Sequence, residues 1–363
     1  MIEYINTKYT PESRDVCATY QITPAKGITI YQACEAFARN IDATPSLRPV
    51  IYNINRRTSS IQIAFPQEIF EERNISQLIS VLVGNPMNEI IDLKLLDLRL
   101  TTKLATPLAK PQQGIRSILG IQHRPLLGIM QKPSTSAKQH AILAYQAWTG
   151  GADLILDAPT HISSSRCSFT ERTKAVLAMR KKAEIQTGER KLYAANITGE
   201  TLEMIRRIQY LNENSSEIAM INYPACGFAA LQTLRHENNI LLYGHSSSHG
   251  IITQPVLAML GSLTGLDLVH ITTPTTKLYQ GMPVFVGPTT PTQIPALIKN
   301  AGTNIMIVCK ISGLRHPAGS SAGTRALKQA IEATMASIPL SEYAKVHQEL
   351  TIAMEEDKKE DRV

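Results

Sequence analysis

From Pro125 onward the chain repeats one pattern eight times: a short apolar run rich in β-branched residues, followed by a longer stretch with helical spacing. The runs are LLGIM (126–130), ADLIL (152–156), KLYAANI (191–197), EIAMI (217–221), ILLYG (240–244), LDLVHI (266–271), MPVFV (282–286) and NIMIVC (304–309). Helical patterns fill the intervals at 136–149, 169–187, 199–211, 228–238 and 255–263. Strands that read as continuous apolar runs are covered on both faces, which is the condition of a parallel sheet between helices. Eight such units predict an α/β fold closed as a (β/α)8 TIM barrel. An open doubly wound sheet is the rival, and the absence of a P-loop or G-x-G-x-x-G after any run counts against it.

Residues 1–115 follow a different rule. Alternating patterns at 16–22, 50–54 and 61–65 are separated by helical ones at 30–39 and 75–82, predicting an α+β N-terminal domain with an antiparallel sheet. KPQQG at 110–114 reads as a linker, 116–340 as the barrel, and 341–363 as a C-terminal helix with a charged tail.

Composition narrows the partners. No window approaches the roughly 18 apolar residues that span a bilayer, and the first residues lack a secretory pattern, so a cytoplasmic chain without a membrane partner is expected. The five cysteines never stand in C-x-x-C spacing, which predicts reduced thiols rather than a disulfide framework or zinc knuckle. A formal charge of +7 is dispersed and aromatics are only 5% of the chain, so the excess fits a small anionic metabolite and not a nucleic acid.

In a (β/α)8 barrel the chemistry sits at the C-terminal ends of the strands. Those ends carry Lys132, Asp157, Asn196, Asn222, Tyr223, His245, His270 and Lys310. Burying so many unpaired polar groups would cost about 1–3 kcal/mol each, which points to a ligand-binding mouth. For Asp157 and Asn196, capping of the following helix is an equal alternative. His245 and His249, in YGHSSSHG, have the i, i+4 spacing of a zinc pair, but they enter a serine-rich loop with no cysteine or H-E-x-x-H glutamate. A zinc pair is therefore not expected, and a structural role for His245, His249 and His270 stays open.

Longer phrases extend across the chain: YTPESRDVCATYQITP at 9–24, VGNPMNEIIDLKLLDLRL at 83–100, RPLLGIMQKP at 124–133, GGADLILD at 150–157, QTGERKLYAANITGETLEM at 186–204, CGFAAL at 226–231, LLYGHSSSH at 241–249, HITTPTTKL at 270–278, MPVFVGP at 282–288 and GLRHPAG at 313–319. In that order they resemble the large subunit of ribulose bisphosphate carboxylase, and more closely its non-carboxylating form IV relatives, the RuBisCO-like proteins. The resemblance makes Lys132 the first lysine of a catalytic K-P-K phrase, with Ser134 at the second. It aligns Leu156, Asp157, Ala158 and Pro159 with the family's K-D-D-E, so the carbamylated lysine and both carboxylate ligands of Mg2+ are replaced by two apolar side chains and a proline. Asp157 matches the member that is not a ligand. Mg2+ needs octahedral oxygen coordination, so no family metal site, no cofactor and no carboxylation are expected.

His245 and His249 match the two histidines of the family's H-R-x-x-H phrase and His270 the one opening the loop after the sixth strand, which implies a proton-transfer group or substrate donor at His245 and a loop residue at His249. The phosphate clamps change as well. Ser246 stands for an arginine, Val286 for a serine followed by Gly287 and Pro288, and Lys310, Ile311 and Ser312 for a glycine run. One anionic group could still be held by Lys277 and Lys310, with His270, Asn196 and Ser312 as further substrate contacts. Asn85 matches an asparagine that reaches a partner's site, which implies a homodimer with the site at the subunit interface. The family's glutamate and T-W pair are missing from NIDATPS at 40–46. Trp148 is read as packing.

The resulting expectation is a RuBisCO-like isomerase or enolase in which Lys132 and His245 exchange protons, without metal, on a phosphorylated or thio-sugar carbonyl compound. A degenerate barrel that binds a metabolite or protein without turnover is the alternative. A Mg2+-dependent enolase with substitute ligands near Asp157 is the third.

Overall fold

The computed structural model describes residues 4–41, 47–84, 88–108, 114–134, 136–161, 163–246, 250–273, 280–287, 290–314 and 316–360. Asn85, Lys277, Pro288, His249, most of the KPQQG linker and most of NIDATPS lie outside these residues.

The N-terminal domain is a four-stranded antiparallel sheet of β1 (Asp15–Pro24), β2 (Val50–Asn55), β3 (Ser60–Pro66) and β4 (Ile90–Arg99), in the order β2-β3-β1-β4. Helices α1 (Ile30–Ile41) and α2 (Ile75–Val83) supply its core: Tyr20 on β1 meets Phe37 on α1 edge to face at 4.9 Å and donates its hydroxyl hydrogen to the Leu82 carbonyl on α2. Alternation does not reveal β4. Its register against β1 shifts twice, and each irregularity turns the side-chain pattern over partway along the strand.

Each of the eight apolar runs carries a strand: β5 (Leu126–Gln131), β6 (Leu154–Asp157), β7 (Leu192–Asn196), β8 (Ile218–Asn222), β9 (Leu241–His245), β10 (Leu268–Ile271), β11 (Met282–Val286) and β12 (Met306–Lys310). All are parallel, and β12 pairs with β5, which closes the barrel and excludes the open sheet. Short α3 (Ile115–Leu119) precedes β5 and buries Ile115 and Leu119 against the interior cluster. The outer helices are α4 (Ala137–Thr149), α5 (Phe169–Thr187), α6 (Thr201–Glu213), α7 (Tyr223–Cys226), α8 (Phe228–Glu237), α9 (Gln254–Leu263), α10 (Ile294–Ala301) and α11 (Gly319–Met335), followed by α12 (Leu340–Tyr343) and α13 (Gln348–Glu360). Trp148 is fully buried in α4.

Successive strand residues face opposite sides of a sheet, so one parity lines the barrel. The interior set is Leu126 and Met130, Leu154 and Leu156, Leu192 and Ala194, Ile218 and Met220, Leu241 and Tyr243, Leu268, Val284, Met306 and Val308. The barrel is thus a packed core, and ligand space is confined to its mouth. The N-terminal domain is tied to the barrel by backbone bonds from Leu95 to Ile251 (2.7 Å) and from Thr253 to Leu95 (3.0 Å). No helix among the described residues is long and apolar enough to cross a membrane.

Candidate active site

Extending the interior parity to the strand ends places Lys132, Ala158, Asn196, Asn222, His245, His270, Val286 and Lys310 around the mouth. Leu156 lies one layer below, fully buried in the interior cluster, and Ala158 packs against that cluster. The neighbouring Asp157 has the opposite parity and lies behind the sheet, among groups from α4 and α5.

At the mouth His245 and His270 stack, with ring centroids 4.6 Å apart and planes 22° apart. The Ser246 hydroxyl lies 3.3 Å from His270 Nδ1 and accepts from the Gln254 amide at 3.3 Å, and that amide also donates to the His270 carbonyl. Burial pushes the His245 imidazole down to about 3, helped by His270 and the Lys310 ammonium. Burial likewise pushes His270 down to about 4, with Lys310 adding to the effect. Both rings are neutral near pH 7 and can accept or donate hydrogen bonds without carrying charge. His245 Nδ1 and the Tyr243 hydroxyl, one layer below, are buried with no hydrogen-bond partner among the described residues. Such groups are costly to leave unmade, as expected where a ligand completes them.

Three of the residues singled out in the sequence therefore act on one another: His245, His270 and Lys310. Lys132 is exposed after β5, with no hydrogen bond or ion pair to a described residue. Ser312 is exposed in the turn after β12. The Asn196 side chain is occupied: its amide lies within hydrogen-bond reach of the carbonyls of Ala158 (3.1 Å), Pro159 (3.0 Å) and His161 (3.2 Å), and its oxygen accepts from Thr198. It organises the loop after β6. Neither Asp157 nor Asn196 caps the helix that follows, because Ser168 caps α5 and Glu200 caps α6.

Behind β6 lies a polar cluster that sequence reasoning missed. Asp157 is fully buried; one oxygen accepts from His140 Nε2 (2.8 Å) and the Tyr193 hydroxyl (2.8 Å), the other from Arg172 Nε (3.1 Å) and the Asn196 backbone N–H (3.0 Å). His140 and His161 meet edge to face at 4.6 Å, and burial pushes His161 down to about 4. Despite the desolvation that opposes ionisation, the Arg172 guanidinium and the His140 hydrogen bond hold the Asp157 carboxyl well below the usual carboxylate range. No short-range pattern announces these contacts, which join residues 15 to 39 positions apart on separate elements.

Metal-ligating atoms of His140, Asp157 and His161 lie within 4.8 Å of one another, the one such grouping among the described residues. Their surroundings do not suit a cation, since both oxygens of Asp157 already accept two donors and a buried guanidinium neutralises the carboxylate. The family's Mg2+ cage does not fit either: at 156, 158 and 159 the chain presents leucine, alanine and proline.

Comparison with known proteins agrees with the architecture. Residues 112–273 and 266–356 match the ribulose bisphosphate carboxylase large chain, catalytic domain, and residues 3–104 match the N-terminal domain of the same large chain. Proteins named ribulose bisphosphate carboxylase from Methanosarcina barkeri and Archaeoglobus fulgidus are 30% and 29% identical, covering 97% of this chain and 98% and 96% of their own lengths. Among solved structures, the dimeric archaeal Rubisco of Hyperthermus butylicus superposes with a TM-score of 0.86 at 29% identity, covering 97% of this chain and 98% of that one. The octameric ribulose-1,5-bisphosphate carboxylase/oxygenase of Pyrococcus horikoshii gives 0.86 at 25% identity, over 97% and 96%.

Proposed function

Because the chain belongs to the ribulose bisphosphate carboxylase large-chain family, we propose that it is a RuBisCO-like protein of the form IV kind that does not carboxylate. It moves a proton, without metal, on a small anionic carbonyl compound such as a phosphorylated or thio-sugar ketose. The observation that carries this reading is the composition of the mouth: imidazoles and lysines stand over an interior in which Leu156 and Ala158 replace the acidic cage. Lys132 takes the proton beside the carbonyl, His245 serves the carbonyl oxygen, and Lys310, His270 and Lys277 offset the negative charge of substrate and enolate. Asn85 of a second copy would complete the site in a cytoplasmic homodimer.

The test is hydrogen exchange from deuterated water into phosphorylated and thio-sugar ketoses, followed by mass spectrometry with EDTA and with Mg2+. Exchange that persists in EDTA and disappears in Lys132→Ala is expected. Exchange that requires Mg2+, or that Lys132→Ala leaves unchanged, would overturn the reading. A second reading, binding without turnover, draws on the neutrality of the stacked His245–His270 pair; it predicts calorimetric binding of those ketoses with no exchange at all.

A further inference from the structure

We propose that Ser134, His140 and Asp157 form a base-activated serine nucleophile that accepts acyl groups from small esters or thioesters, a function separate from proton transfer at His245. The inference rests on hydrogen-bond direction. Asp157, ionised beside Arg172, can only accept, so at the 2.8 Å contact His140 Nε2 must be the donor. With Nε2 the donor, a lone pair on Nδ1, 3.1 Å from Ser134 Oγ, takes that hydroxyl's hydrogen bond. A hydroxyl hydrogen-bonded to an imidazole, itself oriented by a buried carboxylate, is the arrangement that activates serine, whatever the fold.

The ring is held fast. His140 and Asp157 are fully buried, and the Tyr193 hydroxyl and Asn196 N–H pin the carboxylate from β7. The amide of Gln131, oriented so that its oxygen accepts from the Ala144 N–H, donates to the His140 carbonyl and sets its nitrogen 2.9 Å from Nε2 and 3.0 Å from Nδ1, so Ser134 shares the Nδ1 lone pair with this amide. Ser134 itself is half-buried, two residues beyond Lys132 in the turn that leaves β5. It is not needed to cap α4, whose first turn is capped by Ser136 bonding the Gln139 N–H.

The step balances without a further reactant. Ser134 Oγ bonds to the acyl carbon as its proton passes to His140 Nδ1. The bond to the leaving group breaks, and the departing oxygen or sulfur takes that proton. Water then attacks the acyl-serine, gives a proton to His140, and releases the acid as Ser134 recovers its hydrogen.

A fluorophosphonate probe tests this directly, since serine displaces fluoride by the same attack. Intact-mass and peptide mapping of the full-length folded chain should show one adduct, on Ser134, absent from Ser134→Ala. His140→Gln should slow labelling more than about tenfold. Ser134→Ala removes only a half-buried hydroxyl, and its unchanged circular-dichroism melt would show that loss of labelling is chemical. No adduct on the wild-type chain, an adduct elsewhere, or equal labelling of Ser134→Ala would overturn the proposal.

Discussion

Leu156 and Asp157 are adjacent, yet they belong to different parts of the molecule. Strand parity sends Leu156 into the barrel and Asp157 behind it. The carboxylate that persists in the altered K-D-D-E phrase is thus the one with a partner outside the mouth: Arg172, buried with it. Asp157→Asn would leave that guanidinium uncompensated, and a loss of about 3–5 kcal/mol is expected in urea unfolding. The histidines give a second prediction. His161, His245 and His270 have folded values pushed down to about 4, 3 and 4, below the 6.5 of an unfolded chain. Between those values the unfolded state binds more protons, so stability is unaffected by these groups above pH 6.5 and is lost as pH falls toward about 3. Melting temperature should drop across that window, and His245→Gln should shallow the drop. His245, His270 and Lys310 were legible because each lies at or next to the C-terminal end of a strand. The pairing of His140 with Asp157 was not, because it forms only when α4 packs on β6.

At the scale of elements, β6 with α4 and α5 is the unit on which the serine proposal depends. Gly150, the C-cap of α4, shows how tightly it is set: an added Cβ would come within 2.3 Å of the Ser321 carbonyl oxygen on α11. Gly150→Ala must separate the two helices, and a fall in melting temperature of several degrees is expected from a cost of about 1–3 kcal/mol. The eight barrel strands could be read in advance because buried strands are apolar without interruption and helices separate them. Strand β4 could not, because irregular pairing with β1 breaks the alternation that announces an edge strand.

For the whole molecule, the proposed sharing of one site between two copies requires an assembly no smaller than a dimer. Sedimentation equilibrium is expected to give twice the mass of the 40.0 kDa chain or a multiple of it, and Asn85→Ala to weaken ketose binding without dissociating the copies. Mn2+ titrated into the folded chain, with free ion followed by electron paramagnetic resonance, reports directly on an oxygen-ligand cage. No stoichiometric site is predicted, whereas one tightly held ion per chain, displaced by Mg2+ and lost on substitution within residues 156–159, would contradict the account.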